Sequence, residues 1–224
     1  MKKCIVAIDG PAGAGKSTIA KLVAKKLDFI YIDTGAMYRA IALQAIKLGI
    51  IDDQTAIEEM ASKIKITFKV EQDKNLVFID GNDVTEEIRT PEVSNKASYV
   101  SGFAGVRSAM LIQQRELGKV GNVIMDGRDV GTCIFPNADV KVFLTASSIE
   151  RARRRYIELV AKGQTIDLSE LQKEIDARDK ADSERAIAPL KKADDAVEID
   201  STKLSIQQTV DMIVDLVKEK VNVL

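Results

Sequence analysis

The chain has 224 residues, 46% of them apolar and 30% charged, which fits one α/β unit and excludes a disordered chain. Thirty-three Lys and Arg against 34 Asp and Glu leave a net charge of −1, which disfavours a protein that tracks long nucleic acid. The sequence holds no histidine, so the commonest general base, every Ser-His-Asp or Cys-His nucleophile and the commonest metal ligand are missing.

The start, Met1-Lys2-Lys3, is basic, but the apolar run Cys4–Ile8 ends at Asp9, too short for a signal-peptide core. Nothing approaches the roughly 18 uncharged apolar residues of a membrane span. Cys4 and Cys133 give neither a disulfide framework nor zinc spacing, so a reducing cytoplasm is the expected compartment. Lys3–Ile8 predicts a strand buried on both faces, and Ser17–Leu27 a helix with Ile19, Leu22, Val23 and Leu27 on one side. Phe29–Ile32 is a second strand, Gly35–Leu48 an amphipathic helix stopped at Gly49, and 53–63 a helix with Asp53 as its cap. The pattern then turns to period two. Ile64–Val70 and Leu76–Asp80 flank polar Glu71–Asn75, which predicts a β-hairpin. Pro91 reads as a break after the hairpin, and helix resumes around Val106–Leu117. Asn122–Met125 and Val140–Leu144 are two more buried strands. Ser148–Lys162 is a basic helix and Leu168–Ser183 a charged one. Ala196–Ile199 is a last strand, and Ser205–Val221 a closing amphipathic helix. Strand and helix alternate through most of the chain, which predicts a parallel sheet with helices on both faces.

Gly10-Pro11-Ala12-Gly13-Ala14-Gly15-Lys16-Ser17 fits G-x-x-x-x-G-K-[ST] between a buried strand and a helix. Small residues let backbone N–H groups close on a polyphosphate, and the helix N-terminus adds positive charge. Lys16 is placed to reach the β- and γ-phosphates of ATP, and the Ser17 hydroxyl to ligate Mg²⁺. Phosphoryl transfer also suits a chain without histidine, because positioning and electrostatics do most of its work. A switch GTPase is disfavoured: no glycine has Asp three positions before it, and Asn95-Lys96-Ala97-Ser98 lacks the guanine-reading Asp. A motor ATPase would need more chain.

Three clusters point to a second, acceptor nucleotide. Asp33-Thr34-Gly35-Ala36-Met37-Tyr38-Arg39 brings a hydroxyl, a ring and a guanidinium to a strand end. Asp126-Gly127-Arg128-Asp129 comes after a buried strand, where an acid such as Asp126 holds Mg²⁺ through water. Arg178, Asp182 and Arg185 share a helical face; taken alone, that spacing favours a solvated salt-bridge ladder. Of 11 arginines, six lie between Arg151 and Arg185, where planar donors can clamp phosphates.

Together these stretches resemble the bacterial cytidylate kinase family nearly end to end. The resemblance rests on AIDGPAGAGKST, YIDTGAMYRA, EEIRTPEVSNKAS, VIMDGRDVGTCIFPNADVKVFL, ERARRR, RDKADSERAIAPL and VEIDST. It implies a P-loop NTPase fold of the nucleoside monophosphate kinase type, with a mobile acceptor-binding part over about 36–100, its β insertion near 64–90, and a lid over about 151–185. It implies that Gly10–Thr18, including Thr18 itself, hold ATP phosphates. Thr34, Tyr38 and Arg39 line the acceptor site, with Arg39 on its phosphate. Ser98, Arg107 and Asp129 read the cytosine edge. Arg128 and Arg185 grip phosphate, Asp182 takes the ribose hydroxyls, and Arg178 also belongs to the acceptor site. Arg151, Arg154 and Arg155 belong to the lid base and are expected to approach the transferring phosphoryl as catalytic groups. The implied reaction converts CMP or dCMP to CDP or dCDP with ATP and Mg²⁺, in pyrimidine metabolism, by a cytoplasmic monomer without nucleic-acid or membrane partners. A kinase for another acceptor such as UMP, and a slow ATP-driven switch protein, are the competing readings. The adenine site is placed at Asp200-Ser201-Thr202.

Overall fold

The computed structural model describes residues 3–71, 74–161 and 163–221. They form two compact units, one of residues 1–31 and 121–224 and the other of Ile32–Val120.

The first unit is built on five strands: β1 (Ile5–Asp9), β2 (Ile30–Asp33), β6 (Val123–Gly127), β7 (Val140–Thr145) and β8 (Val197–Asp200). They form one sheet in the order β2-β6-β1-β7-β8. β2 carries the chain into the second unit. β1 runs parallel to β6 and β7, and β7 parallel to β8. Apolar runs make the three central strands, β1, β6 and β7, and burial is what they meet: Val6, Ala7 and Ile8 have no accessible surface. Helix α1 (Lys16–Leu27) and helix α8 (Ile206–Val221) cover one face. Ile19, Val23, Val210, Ile213 and Val217 pack there on Val6, Ile8 and Leu144. Helix α6 (Ser148–Ala161) and helix α7 (Leu168–Glu184) pair through a small core of Ala152, Leu159, Leu171 and Ile175. The last residue of the predicted basic helix, Lys162, lies outside the described residues.

The second unit has its own core, in which helix α2 (Thr34–Lys47) is central through Met37, Ala40, Ile41 and Ala45. Helix α3 (Gln54–Lys63) starts where expected, with the Asp53 carboxylate accepting from Ala56 N–H at 3.0 Å. The hairpin is present as β3 (Ile66–Glu71) and β4 (Lys74–Ile79), antiparallel in register. A short third strand, β5 (Asn82–Asp83), pairs with β4. Two residues with no apolar alternation carry no strand pattern, so periodicity could not find it.

Pro91 does not break helix here; it opens one. Helix α4 (Pro91–Val100) begins on it, and helix α5 (Ala104–Leu117) comes next. Proline at the first helical position loses nothing, since that N–H would have no helical acceptor anyway. The Thr90 hydroxyl caps the end by accepting from Val93 N–H at 3.3 Å. Thr90→Ala removes that acceptor and is expected to cost about 1 kcal/mol. The thermal midpoint should then fall by about 2–4 °C, measured by calorimetry against wild type. An unchanged midpoint would mean that the cap contributes nothing.

Candidate active site

Strand β1 ends at Asp9 and the chain turns at Gly10. A Cβ on Gly10 would stand 2.0 Å from the Leu144 carbonyl oxygen, so no larger residue can pass β7 here. The loop then wraps Lys16. Its buried ammonium donates to the Pro11 carbonyl at 2.7 Å. Burial pushes the lysine down to about 7; the Arg128 cation adds to this, Asp126 and Asp9 oppose it, and Arg178 contributes in the same sense as Arg128. The loop is therefore a cation-rich pocket of backbone and lysine, suited to a polyphosphate. Thr18, the last residue of the expected phosphate cradle, is exposed on the first turn of α1.

Asp126 lies next to the end of β6 and is buried. One carboxylate oxygen accepts from Ser17 Oγ at 2.9 Å and the other from Tyr31 Oη at 2.6 Å. Hydroxyl and carboxylate are hard oxygen donors placed together, the set that Mg²⁺ takes when phosphates and waters complete its shell. Tyr31 is not among the sequence-predicted residues. Its strand position reads only as core, and nothing in the pattern marks its hydroxyl.

Past β6 the chain makes a π-helical turn over Val130–Ile134, with Asp129 at its head. The Asp9 carboxylate accepts from Val130 N–H at 2.8 Å and from Gly131 N–H at 2.7 Å. Burial pushes the Asp9 carboxyl up to about 6; those two N–H groups pull the other way, while Asp129 adds to the rise and Lys16 opposes it.

Around this turn lie the acceptor-side groups expected from the sequence. Arg185 Nη2 donates to Asp129 Oδ1 at 3.0 Å, and Arg128 Nε to Asp182 Oδ2 at 2.8 Å. Arg185 Nε donates to the Ala188 carbonyl at 2.6 Å, so the turn after α7 folds back on it. The ladder favoured by spacing is not solvated: Asp182 is buried and only 12% of the Arg185 side chain is accessible, and beside their mutual pair at 4.0 Å each makes a shorter ion pair with the loop after β6. Helical spacing gave the shared face correctly but could not show that the face is covered.

The arginines of helix α6 divide by burial. Arg151 is buried, donating to Ala146 O at 2.9 Å, to Ala12 O at 2.8 Å, and to Asp179. Asp179 also accepts from Ala12 N–H at 3.0 Å, so one acid–base pair grips both sides of a phosphate-loop peptide. In the sequence Asp179 reads only as part of the charge ladder. Arg154 reaches Ser201, with Nη2 on its carbonyl at 2.7 Å, and pairs with Glu150. Arg155 is exposed and pairs with Glu158.

In the second unit, Asp33 caps α2 by accepting from Ala36 N–H at 2.8 Å and holds Arg39 Nη2 at 2.8 Å. Thr34 is buried beside it. The Arg107 guanidinium stands over the Tyr38 ring at 5.6 Å. Arg107 Nη1 is 3.4 Å from the Ser101 carbonyl, and Ser101 Oγ donates to the Ser98 carbonyl at 2.8 Å. Tyr38, Ser98 and Arg107 are thus brought together, and Ser101, which joins two of them, carries no signal in the sequence.

A phosphate loop, an acid on its serine and arginine-lined turns at the ends of parallel strands define a phosphate-loop phosphotransferase. The chain belongs to the cytidylate kinase family: the family model described as "Cytidylate kinase" matches residues 6–219. A protein of Geobacillus sp. (strain WCH70) named cytidylate kinase is 51% identical over 217 residues, covering 96% of this chain and 97% of its own. One of Bacillus cereus (strain ATCC 10987 / NRS 248), with the same name, is 50% identical over 217 residues, covering 96% of each. Among solved structures, an uncharacterized protein from Eubacterium ventriosum ATCC 27560 superposes with a TM-score of 0.53 at 11% identity, over 97% of this chain and 99% of that one. That likeness speaks to the fold alone. Among the described residues no helix is long and apolar enough to cross a membrane.

The Asp9 carboxyl, raised from 3.8 to about 6, fixes the sign of one pH effect. The folded state holds this proton where the unfolded chain has released it. The stability it contributes is complete below pH 3.8 and is lost as pH rises through about 6. In Asp9→Asn that fall should vanish. Denaturant midpoints between pH 4 and 7 should therefore show a wild-type slope more negative than the variant's, by at most about 1.4 kcal/mol per pH unit. Parallel slopes would refute the burial of an ionisable carboxyl.

Proposed function

We propose that this protein transfers the γ-phosphoryl group of ATP to CMP and dCMP, giving ADP with CDP or dCDP, in the presence of Mg²⁺. What carries the reading is one strand end. β6 delivers Asp126 to the Ser17 of the phosphate loop and, three residues on, Asp129 to Arg185. A donor site and an acceptor site arise from that single element, and the cytidylate kinase family gives the acceptor its base.

The phosphates of ATP are assigned to the amides of Gly10–Thr18 and to Lys16. Bound Mg²⁺ would neutralise phosphate charge, and Ser17 and, through water, Asp126 are the residues that would hold it. The CMP phosphate is assigned to Arg39, Arg128, Arg178 and Arg185, and the ribose to Asp182. The base is assigned to Ser98, Arg107 and Asp129, with Thr34 and Tyr38 lining the site. Cytosine offers an amino donor where uracil offers O4, so an ionised Asp129 accepts from one and repels the other. Leaving such a mismatch unpaired costs about 2 kcal/mol. At neutral pH the acceptor phosphate already carries a nucleophilic oxygen, and no side-chain base is needed. Arg154 and Arg155 are assigned to the transferring phosphoryl. The bonds of Arg151 to Ala12 support a role in shaping the loop. The region near 36–100 is assigned to acceptor binding and the region near 151–185 to a lid that excludes water. The protein works in the cytoplasm as a monomer, with small molecules as its partners.

A coupled ADP-release assay across nucleoside monophosphates tests the substrate. CMP and dCMP should turn over faster than UMP, AMP or GMP, and preference for any of these would overturn the assignment. ADP release without an added monophosphate would favour a switch protein instead. Lys16→Ala should lower kcat by about 10²-fold or more with an unchanged circular dichroism spectrum; retained turnover would remove the phosphate-loop assignment. Asp129→Asn should lower the CMP:UMP ratio of kcat/KM by about tenfold or more, and an unchanged ratio would remove Asp129 from the base site.

A further inference from the structure

Asp129 heads the Val130–Ile134 turn, and aspartate at that place ordinarily folds its carboxylate back onto the first free N–H groups of the helix. Here it does not: no side-chain cap bond is made by Asp129. A capping side chain reaches the N–H of the second or third residue of its turn; the second, Gly131 N–H, is taken by Asp9 Oδ2, and Asp9 Oδ1 takes the Val130 N–H before it. The Asp129 carboxylate is left facing Arg185 at 3.0 Å. The fit at Gly131 is tight. A Cβ there would stand 3.3 Å from Asp9 Oδ2 and 3.2 Å from Lys141 Cδ, so an alanine would press on both by a few tenths of an ångström.

We infer that Asp9 is a positioning residue for acceptor selection: by taking the Val130 and Gly131 N–H groups from strand β1, it holds the Asp129 carboxylate away from the Gly131 N–H and turned toward Arg185 and the acceptor base. This rests on the proposed role of Asp129 in reading cytosine. Asp9 touches neither nucleotide in this scheme and acts only through the turn. It stands immediately before Gly10, so the strand that launches the donor loop also sets the acceptor-reading residue.

The readout is the ratio of kcat/KM for CMP to that for UMP within each variant, because any effect on ATP binding cancels in it. In Asp9→Asn an amide NH₂ must face one of two backbone donors. That turn amide is freed and can capture Asp129. The CMP:UMP ratio should fall by about tenfold, while in the Asp129→Asn background the same change should lower it no further. A ratio within about twofold of wild type, or an equal fall in both backgrounds, would overturn the inference. Gly131→Ala, which presses on the Asp9 carboxylate without removing it, should shift the ratio the same way and serves if Asp9→Asn does not fold; an unshifted ratio in a folded Gly131→Ala counts against the inference. Amide hydrogen exchange at Val130 and Gly131 gives a readout independent of substrate. Both amides should be protected in wild type and exchange at least about tenfold faster in Asp9→Asn, and unprotected wild-type amides would overturn the inference. A wild type with no preference for CMP over UMP would defeat the proposed function, and the exchange data would then decide the role of Asp9 alone.

Discussion

Lys16 holds a buried ammonium whose direct bond is to a neutral carbonyl, that of Pro11. A buried charge is costly unless something repays it, and here two arginines add to the cost while two carboxylates, Asp126 and Asp9, offset part of it. A polyphosphate arriving at the loop brings the missing negative charge. The resting site is thus electrostatically incomplete, which is what makes it bind. The fold tolerates this because the surrounding strands are buried on both faces and cannot relax away from the loop.

Guanidinium groups crowd the elements around the loop, and burial and pairing set them apart. Arg151 has its donors on two carbonyls and Asp179, so its work is to shape the phosphate-loop peptide at Ala12. Arg128 and Arg185 are held on Asp182 and Asp129, which keeps their planar forks oriented before any anion arrives. Arg39 is held in the same way by Asp33 within the second unit. Pairing a cation with an acid in advance limits the side-chain entropy lost on binding. Arg155 pairs with exposed Glu158 and is held less firmly than Arg151.

Much of this is legible in the sequence because the relevant signals are local. The phosphate loop is a contiguous motif, the buried strands are contiguous apolar runs, and Asp53 announces its helix by standing just before it. The features that escape sequence reading have no local signal. Pro91 looks the same at the first position of a helix as at a break; the difference lies in Thr90 behind it. Asp9 reads as the end of an apolar run, Tyr31 as core and Asp179 as one more charge on a helix. The partner of Asp9 is more than 120 residues away, at Gly131. Asp126 is 95 residues from Tyr31, and Ala12 is 167 from Asp179. Such pairs exist only once the sheet order and the packing of α7 are set.

The register of β1 against β6 joins these separate features into one requirement. Ile8 stands opposite Asp126, and Asp9 opposite Gly127. Side chains alternate along a strand, so a slip of one residue would turn Asp126 away from Ser17 and Asp9 away from the turn beyond β6. The slip is opposed by apolar burial, since it would also expose the side of β1 that carries Val6 and Ile8 to the wrong layer. The burial of two short strands therefore fixes, in one step, the acid on the serine of the phosphate loop and the carboxylate under the Val130–Ile134 turn. Neither polar contact has to specify the fold; each is carried into place by residues that do no chemistry.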